Sequence, residues 1–180
     1  MQSSASPPVQ VEIRRLAEDD AHDFYLLRLE ALEREPQAFG QSPQEHRAMS
    51  LESTARRLGG GPEGPNFVLG ALVDGHLVGM AGFYQEEGTK NRHKGRIWGV
   101  YVTEAWRGKG IARVLLSEII ERARAKLELE QVLLAVAAGQ HSAKHLYESL
   151  GFEVYGREPR AIKLGNNYID EELMLQRLRR

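Results

Sequence analysis

Residues 94–127 read KGRIWGVYVTEAWRGKGIARVLLSEIIERARAKL. Residues 96–102 predict a strand, 103–109 a short polar loop, and Gly110 onward a long amphipathic helix. The loop and helix start carry Arg107-Gly108-Lys109-Gly110-Ile111-Ala112. Glycine tolerates positive φ and lets a ligand approach the backbone closely. A helix opening near Gly110 leaves its first N–H groups unpaired and aimed outward. With the helix dipole and two cationic side chains they make an anion site, phosphate being the obvious guest. The plainer reading is a tight strand-to-helix turn with a solvated basic face. Neither G-x-x-x-x-G-K-[ST] nor G-x-G-x-x-G spacing is present, which speaks against P-loop and dinucleotide folds.

Working outward, Ile111, Leu115 and Ile119 share one row of the helix and Ala112, Leu116, Ile120, Ala123 and Leu127 the next. Arg113, Ser117, Glu121 and Arg124 fall opposite, so the helix should pack on a sheet. Upstream, Asp74-Gly75 between residues 66–73 and 76–84 is a hairpin signal. Alternation predicts a first strand over 9–16, and Phe24, Leu27, Leu29, Ala31 and Leu32 a helix that Pro36 ends. A second helix is expected over 43–58, on Met49, Leu51, Ala55 and Leu58, and then a Gly/Pro connector over 59–65. Downstream, QVLLAVA at 131–137 predicts an interior strand. Ala143, Leu146, Tyr147 and Leu150 predict a helix ended by Gly151. Residues 152–157, 161–164 and 168–178 predict strands. The order βααβββαβαββ implies an α/β (α+β) fold with a mixed sheet, helices on both faces and a right-handed crossover at the centre.

The 180 residues suit one domain over 9–180 behind a flexible tail over 1–8. A formal charge of −1 offers no basic footprint, so no nucleic-acid partner is expected. The absence of cysteine excludes disulfides, thiolate metal sites and a cysteine nucleophile, and fits a cytoplasmic setting. No metal site is expected. MQSSASPPV shows no secretory leader, and no apolar run reaches membrane-spanning length.

The Arg107-x-x-Gly110-x-Ala112 pattern resembles the Arg/Gln-x-x-Gly-x-Gly/Ala signature of the GNAT acetyltransferase superfamily. It follows a V-Y-V strand and opens a long helix, as it does in that family. Ala143-x-x-Leu146-Tyr147-Glu148-x-x-Gly151-Phe152 resembles the family's A-x-x-L-Y-x-x-x-G-F helix and turn. The family often has Asn three residues before that alanine, where this chain has Gln140. The resemblance implies a mostly antiparallel sheet of about seven strands, splayed at the centre. It also implies an acyl-CoA donor, usually acetyl-CoA. The pyrophosphate would sit on Arg107, Gly108, Lys109, Gly110, Ile111, Ala112 and Arg113. The pantetheine would lie along Val100, Tyr101 and Val102, near Gln140, Ala143 and Tyr147. The implied reaction transfers acetyl directly to a primary amine of a small molecule or peptide. A catalytically silent acyl-CoA sensor of the same fold is the alternative.

That chemistry needs a neutral amine, a donor for the carbonyl oxygen and a proton for the thiolate. Deprotonating a lysine-like amine at neutral pH costs roughly 4 kcal/mol, so a base or a desolvated pocket matters more than an acid. A backbone N–H near Val100 is the expected oxyanion donor. The resemblance nominates Tyr147 as acid, a residue whose helical position equally suits core packing. Ile97, Trp98, Gly99 and Tyr101 offer no strand carboxylate. By order along the chain Glu86, Glu87 and His93 are therefore the base candidates, each also readable as a solvated loop residue, with a base acting through ordered water as the alternative. The ending G-N-N-Y-I-D-E-E-L-M resembles the G-x-Y-x-D-x-x-x-M tail of family members acting on small amines. Its Tyr168, Asp170 and Glu172 could hold a cation, or form an exposed edge or homodimer contact.

Overall fold

Runs of alternating apolar residues build a seven-stranded sheet in a computed structural model that describes residues 10–59, 61 and 64–178. The expected tail and Val9 lie outside those residues, as does part of the connector. The strands are β1 (Val11–Arg15), β2 (Phe67–Val73), β3 (His76–Gln85), β4 (Lys94–Val102), β5 (Gln131–Ala137), β6 (Glu153–Leu164) and β7 (Asn167–Arg177). Their order is β1-β2-β3-β4-β5-β7-β6. Every neighbouring pair is antiparallel except β4 and β5, which run parallel. This is the mixed, mostly antiparallel sheet expected from the sequence. Asp74 and Gly75 both take positive φ, 49° and 79°, at the expected hairpin turn.

Helix α4 (Ile111–Ala125) covers one face. Its Leu115, Leu116 and Ile119 are fully buried against Leu69, Ala71 and Phe83 of the sheet. Each such side chain contributes about 1.5–3 kcal/mol by leaving water. The opposite face carries α1 (Ala21–Arg34), α2 (Pro43–Arg47) and α3 (Leu51–Leu58), where Phe24, Leu27 and Leu58 meet Val68 and Met80. Side chains alternate along β2, so Val68 and Leu69 serve different cores.

β4 and β5 keep register only from Lys94, Gly95 and Arg96 to Gln131, Val132 and Leu133, after which they diverge. Helix α5 (His141–Ser149) follows β5 and borders the opening.

Three local features depart from the sequence expectations. The helix expected over 43–58 is broken in two, because Ser50 is extended and its hydroxyl caps α3 by accepting the Ser53 N–H at 3.1 Å. The place expected for Leu29 in the α1 stripe is taken by Arg28, buried, while Leu29 is only half-buried. The two strands expected after Gly151 are one, β6, whose ladder with β7 is irregular between Glu158 and Ile162. There Arg160 holds a φ of 56° and its N–H donates to Asp170 at 2.8 Å.

Candidate active site

The start of α4 has the geometry its sequence predicts. Gly108 and Gly110 stand at φ 72° and 81°, where a side chain would be strained. A Cβ on either would meet nothing within 4 Å. Gly110 is the N-cap, no side chain caps the helix, and the first turn holds no acid. The amides of Ile111, Ala112 and Arg113 therefore face outward without an intrahelical acceptor. The cationic side chains nearby are engaged elsewhere. Arg107 donates through Nε to the Val102 carbonyl and through Nη1 to Glu35, both at 2.9 Å. Arg113 donates to the Ser149 hydroxyl at 2.8 Å, and Lys109 lies 4.5 Å from the Trp106 ring centre. Backbone donors, more than side-chain charge, define this candidate anion site.

From there a cleft of about 310 Å³ runs between the diverging strands. β4 lines it from Ile97 to Val102, β5 from Leu134 to Ala137, and α5 through Ala143, Leu146 and Tyr147. Arg107, Ala112 and Gln140 border it on one side, Glu35 and Phe39 on another. Mid-strand, β4 bulges. Trp98 faces Gly82 and Tyr101 faces Met80, so Gly99 and Val100 together oppose Ala81 alone. Gly99 adopts φ 64°, as the first residue of such a bulge does. An amide released from the ladder there is a donor for a carbonyl oxygen in the cleft. Gly82 makes room for the wall, since a Cβ on it would lie 2.1 Å from the Trp98 indole.

The structure brings Val100, Tyr101, Val102, Arg107, Ala112, Gln140, Ala143 and Tyr147 together around this cleft, with Gly108 to Ile111 and Arg113 at its mouth. Tyr147 is 7% exposed and packs edge-on to Phe152. Burial pushes its pKa up to about 12, so its hydroxyl keeps its proton at neutral pH. Tyr101 donates to Glu30 at 2.9 Å and is also pushed up to about 12, first by burial and then by Glu30.

Glu86 and Glu87 do not border the cleft. Glu86 sits by the closed end of the β4–β5 fork, 2.6 Å from Arg96 and 3.0 Å from Lys94. Hydrogen bonds from Arg96 and then Lys94 hold its carboxyl below the usual range. Glu87 is exposed. His93 also stands at that end, its carbonyl accepting the Glu130 N–H at 2.8 Å. In the tail, Asp170 pairs with Arg157 at 2.8 Å and Glu172 with Lys144 at 2.7 Å. Among the described residues no cluster of His, Cys, Asp or Glu is placed to hold a metal. Glu35, Phe39, Trp98 and Gly99 are cleft residues the sequence reading did not nominate. For Gly99 a signal existed, because a lone glycine inside a strand pattern marks a bulge.

Residues 16–152 match the profile of the acetyltransferase (GNAT) family. The chain is similar to an L-amino acid N-acetyltransferase of Escherichia coli, 26% identical over 104 residues, which are 58% of this chain and 64% of that protein. It is also similar to an L-methionine sulfoximine/L-methionine sulfone acetyltransferase of Pseudomonas aeruginosa, 36% identical over 75 residues, 42% of this chain and 43% of that one. Both alignments take in under two thirds of the relative's length. A Salmonella typhimurium structure solved with its cofactor acetyl-CoA shares the fold, with a TM-score of 0.82 and 22% identity, 95% of each chain being covered.

Proposed function

Starting from a chain that belongs to the acetyltransferase (GNAT) family, we propose that it is an acetyl-CoA-dependent N-acetyltransferase acting on a primary amine of a small molecule or peptide, in the cytoplasm. The observation that carries this reading is the continuity of one cleft, from the uncapped amides of α4 to the bulge at Gly99 and Val100. Acetyl-CoA would supply an activated acetyl thioester. The net reaction forms an amide C–N bond, breaks the C–S bond and moves one amine proton to sulfur. The amides of Ile111 to Arg113 would hold its diphosphate, and the open space at Gly108 and Gly110 fits that role. Val100 and Val102 would flank the pantetheine arm.

The bulge amide of β4 stabilises charge on the carbonyl oxygen, being fixed in place before the reaction starts. Tyr147, protonated at neutral pH, is the acid candidate for the leaving sulfur. Proton removal from the amine falls to water or to desolvation in the cleft, because Glu86 is held by its ion pairs at the other end of β4 and Glu35 already binds Arg107 and Gln37. That two named relatives are acetyltransferases of amino acids or their analogues supports a small-molecule acceptor.

The test is release of CoA thiol from acetyl-CoA across a panel of amines, alongside thermal melts with acetyl-CoA. Stabilisation plus amine-dependent thiol release is expected. Stabilisation with no release from any amine would leave the silent acyl-CoA sensor. No stabilisation at all would end both readings.

A further inference from the structure

Across the sheet from α4, Arg28 stands where the transfer chemistry has no use for it. It interrupts the apolar stripe of α1 and is only 8% exposed. Its Nε and Nη1 are buried without a hydrogen-bond partner. The charge acting on it is another cation, Arg57 of α3. Burial first, and Arg57 second, bring its pKa down to about 10, so it is still charged at neutral pH. Aromatic rings line its surroundings. The guanidinium lies 4.7 Å from the Phe39 ring centre and 5.8 Å from that of Trp98, with Arg57 4.2 Å over the same indole. Cation–π contacts offset only part of the cost of burying an unpaired charge. Two cations with no carboxylate of the described residues between them make a candidate anion site.

That site adjoins the cleft at the reacting end. Phe39, Trp98 and Gly99 all line the cleft, and a Cβ on Gly99 would come within 3.2 Å of Arg28 Nη1. With no side chain on Gly99, the guanidinium packs directly behind the bulge that lines the cleft. We propose that Arg28, with Arg57 beside it, binds the carboxylate of the acceptor, which makes the acceptor a free α-amino acid. The nitrogen and carboxylate of an α-amino acid share one carbon. A nitrogen brought to the bulge amide therefore sets its acid against the Gly99 wall, within reach of Arg28. Plain amines and peptide N-termini have no acid at that place. The inference rests on the acetyl-transfer reading for its purpose, though carboxylate binding is measurable without turnover.

Thermal melts of the protein saturated with CoA, titrated with the L-amino acids, their carboxamides, the matching decarboxylated amines and short peptides, test it. At least one amino acid should raise the melting temperature, while its carboxamide and its amine should not. Arg28→Met should weaken that binding more than 100-fold, Arg28→Lys should retain part of it, and the shift given by acetyl-CoA should be unchanged in both. Without ligands Arg28→Met should melt no lower than the parent, because an apolar chain replaces an unpaired buried charge. A lower melt with undiminished amino-acid binding would make Arg28 a packing residue and overturn the proposal. Equal shifts from carboxamides, amines or peptides would overturn it, as would no shift from any amino acid. Should Arg28→Met fail to fold, Arg57→Gln is read in its place, with about tenfold weaker binding expected. Arg28-dependent binding without any acetylated product would retain the anchor and defeat only the transfer reading.

Discussion

On the α4 face, Leu115, Leu116, Ile119 and Ile120 interlock with β2 and β3, and at the border of that core the buried polar side chain among the described residues is Gln176, which donates to the Leu150 carbonyl at 2.8 Å. On the α1–α3 face Phe24, Leu27 and Leu58 do similar packing, yet Arg28, His46 and Thr54 are buried beside them. One sheet thus carries one core composed for cohesion and another that retains polar groups a purely structural core would shed. Natural proteins commonly tolerate such costs where a site must be kept ready. The difference teaches where ligand discrimination resides. In the proposed function the first face holds the helix whose amides would bind a diphosphate, and the second would border the acceptor.

Substitutions sharpen this contrast. The largest effect should come from Leu116→Ala, a cavity in the cohesive core, which should lower unfolding free energy by about 3 kcal/mol in urea titrations. A loss under 1 kcal/mol would mean the α4 face is less tightly built than its burial implies. Next comes Gly110→Glu, which places a strained, negatively charged residue at the helix mouth. Acetyl-CoA affinity by calorimetry should fall by about 100-fold, some 2.7 kcal/mol, and unchanged affinity would remove the amide cradle. Tyr147→Phe should cut turnover roughly thirtyfold, or ~2 kcal/mol, while the KM for acetyl-CoA stays put. Intact turnover would return Tyr147 to packing alone.

The smallest effect concerns pH. His46 is 2% exposed, stacks on Tyr25 at 4.5 Å, and donates through Nε2 to the Tyr25 carbonyl at 3.0 Å. Burial, then Arg28 and Arg57, lower its pKa, opposed by the Tyr25 hydrogen bond. A histidine whose folded pKa is depressed gives stability that is complete above the unfolded value, near 6.5, and lost as pH falls toward the folded value. Between pH 7.5 and 5.5 the parent should therefore lose stability, by under about 1 kcal/mol. His46→Gln should lose less, as read from urea midpoints at both pH values. Equal pH sensitivity would relocate the titrating group off this face.

What could be read from residues alone divides along the same line. Periodicity gave the strands, α4 and α5, because a half-buried element writes its burial into alternate or every-third positions. RGKG at a strand-to-helix junction implied the amide mouth, since only glycine sits easily at those φ values. The β4 bulge went unread because V-Y-V extends the strand pattern past Gly99 and hides the extra residue. Arg28 went unread because a charge on an apolar stripe looks like a break in the pattern, and Leu29 was counted in its place. The gap between α2 and α3 turned on one hydroxyl, that of Ser50, which lies within an otherwise continuous helical spacing. Nomination of Glu86 and Glu87 relied on chain order, and order does not say which end of a strand faces the fork. Glu35 and Phe39 reach the cleft from beyond α1, a long-range meeting that no local pattern encodes.

The fork itself has a mechanical corollary. With three register positions linking β4 to β5, the sheet is two plates, one of four strands and one of three, sharing a narrow seam. Each plate is knitted internally by longer antiparallel ladders. Across that seam the backbone ladder is the shortest in the sheet. Under the proposed function, a guest threaded along the gap would complete the missing stitches and join the two plates without any lid having to shut.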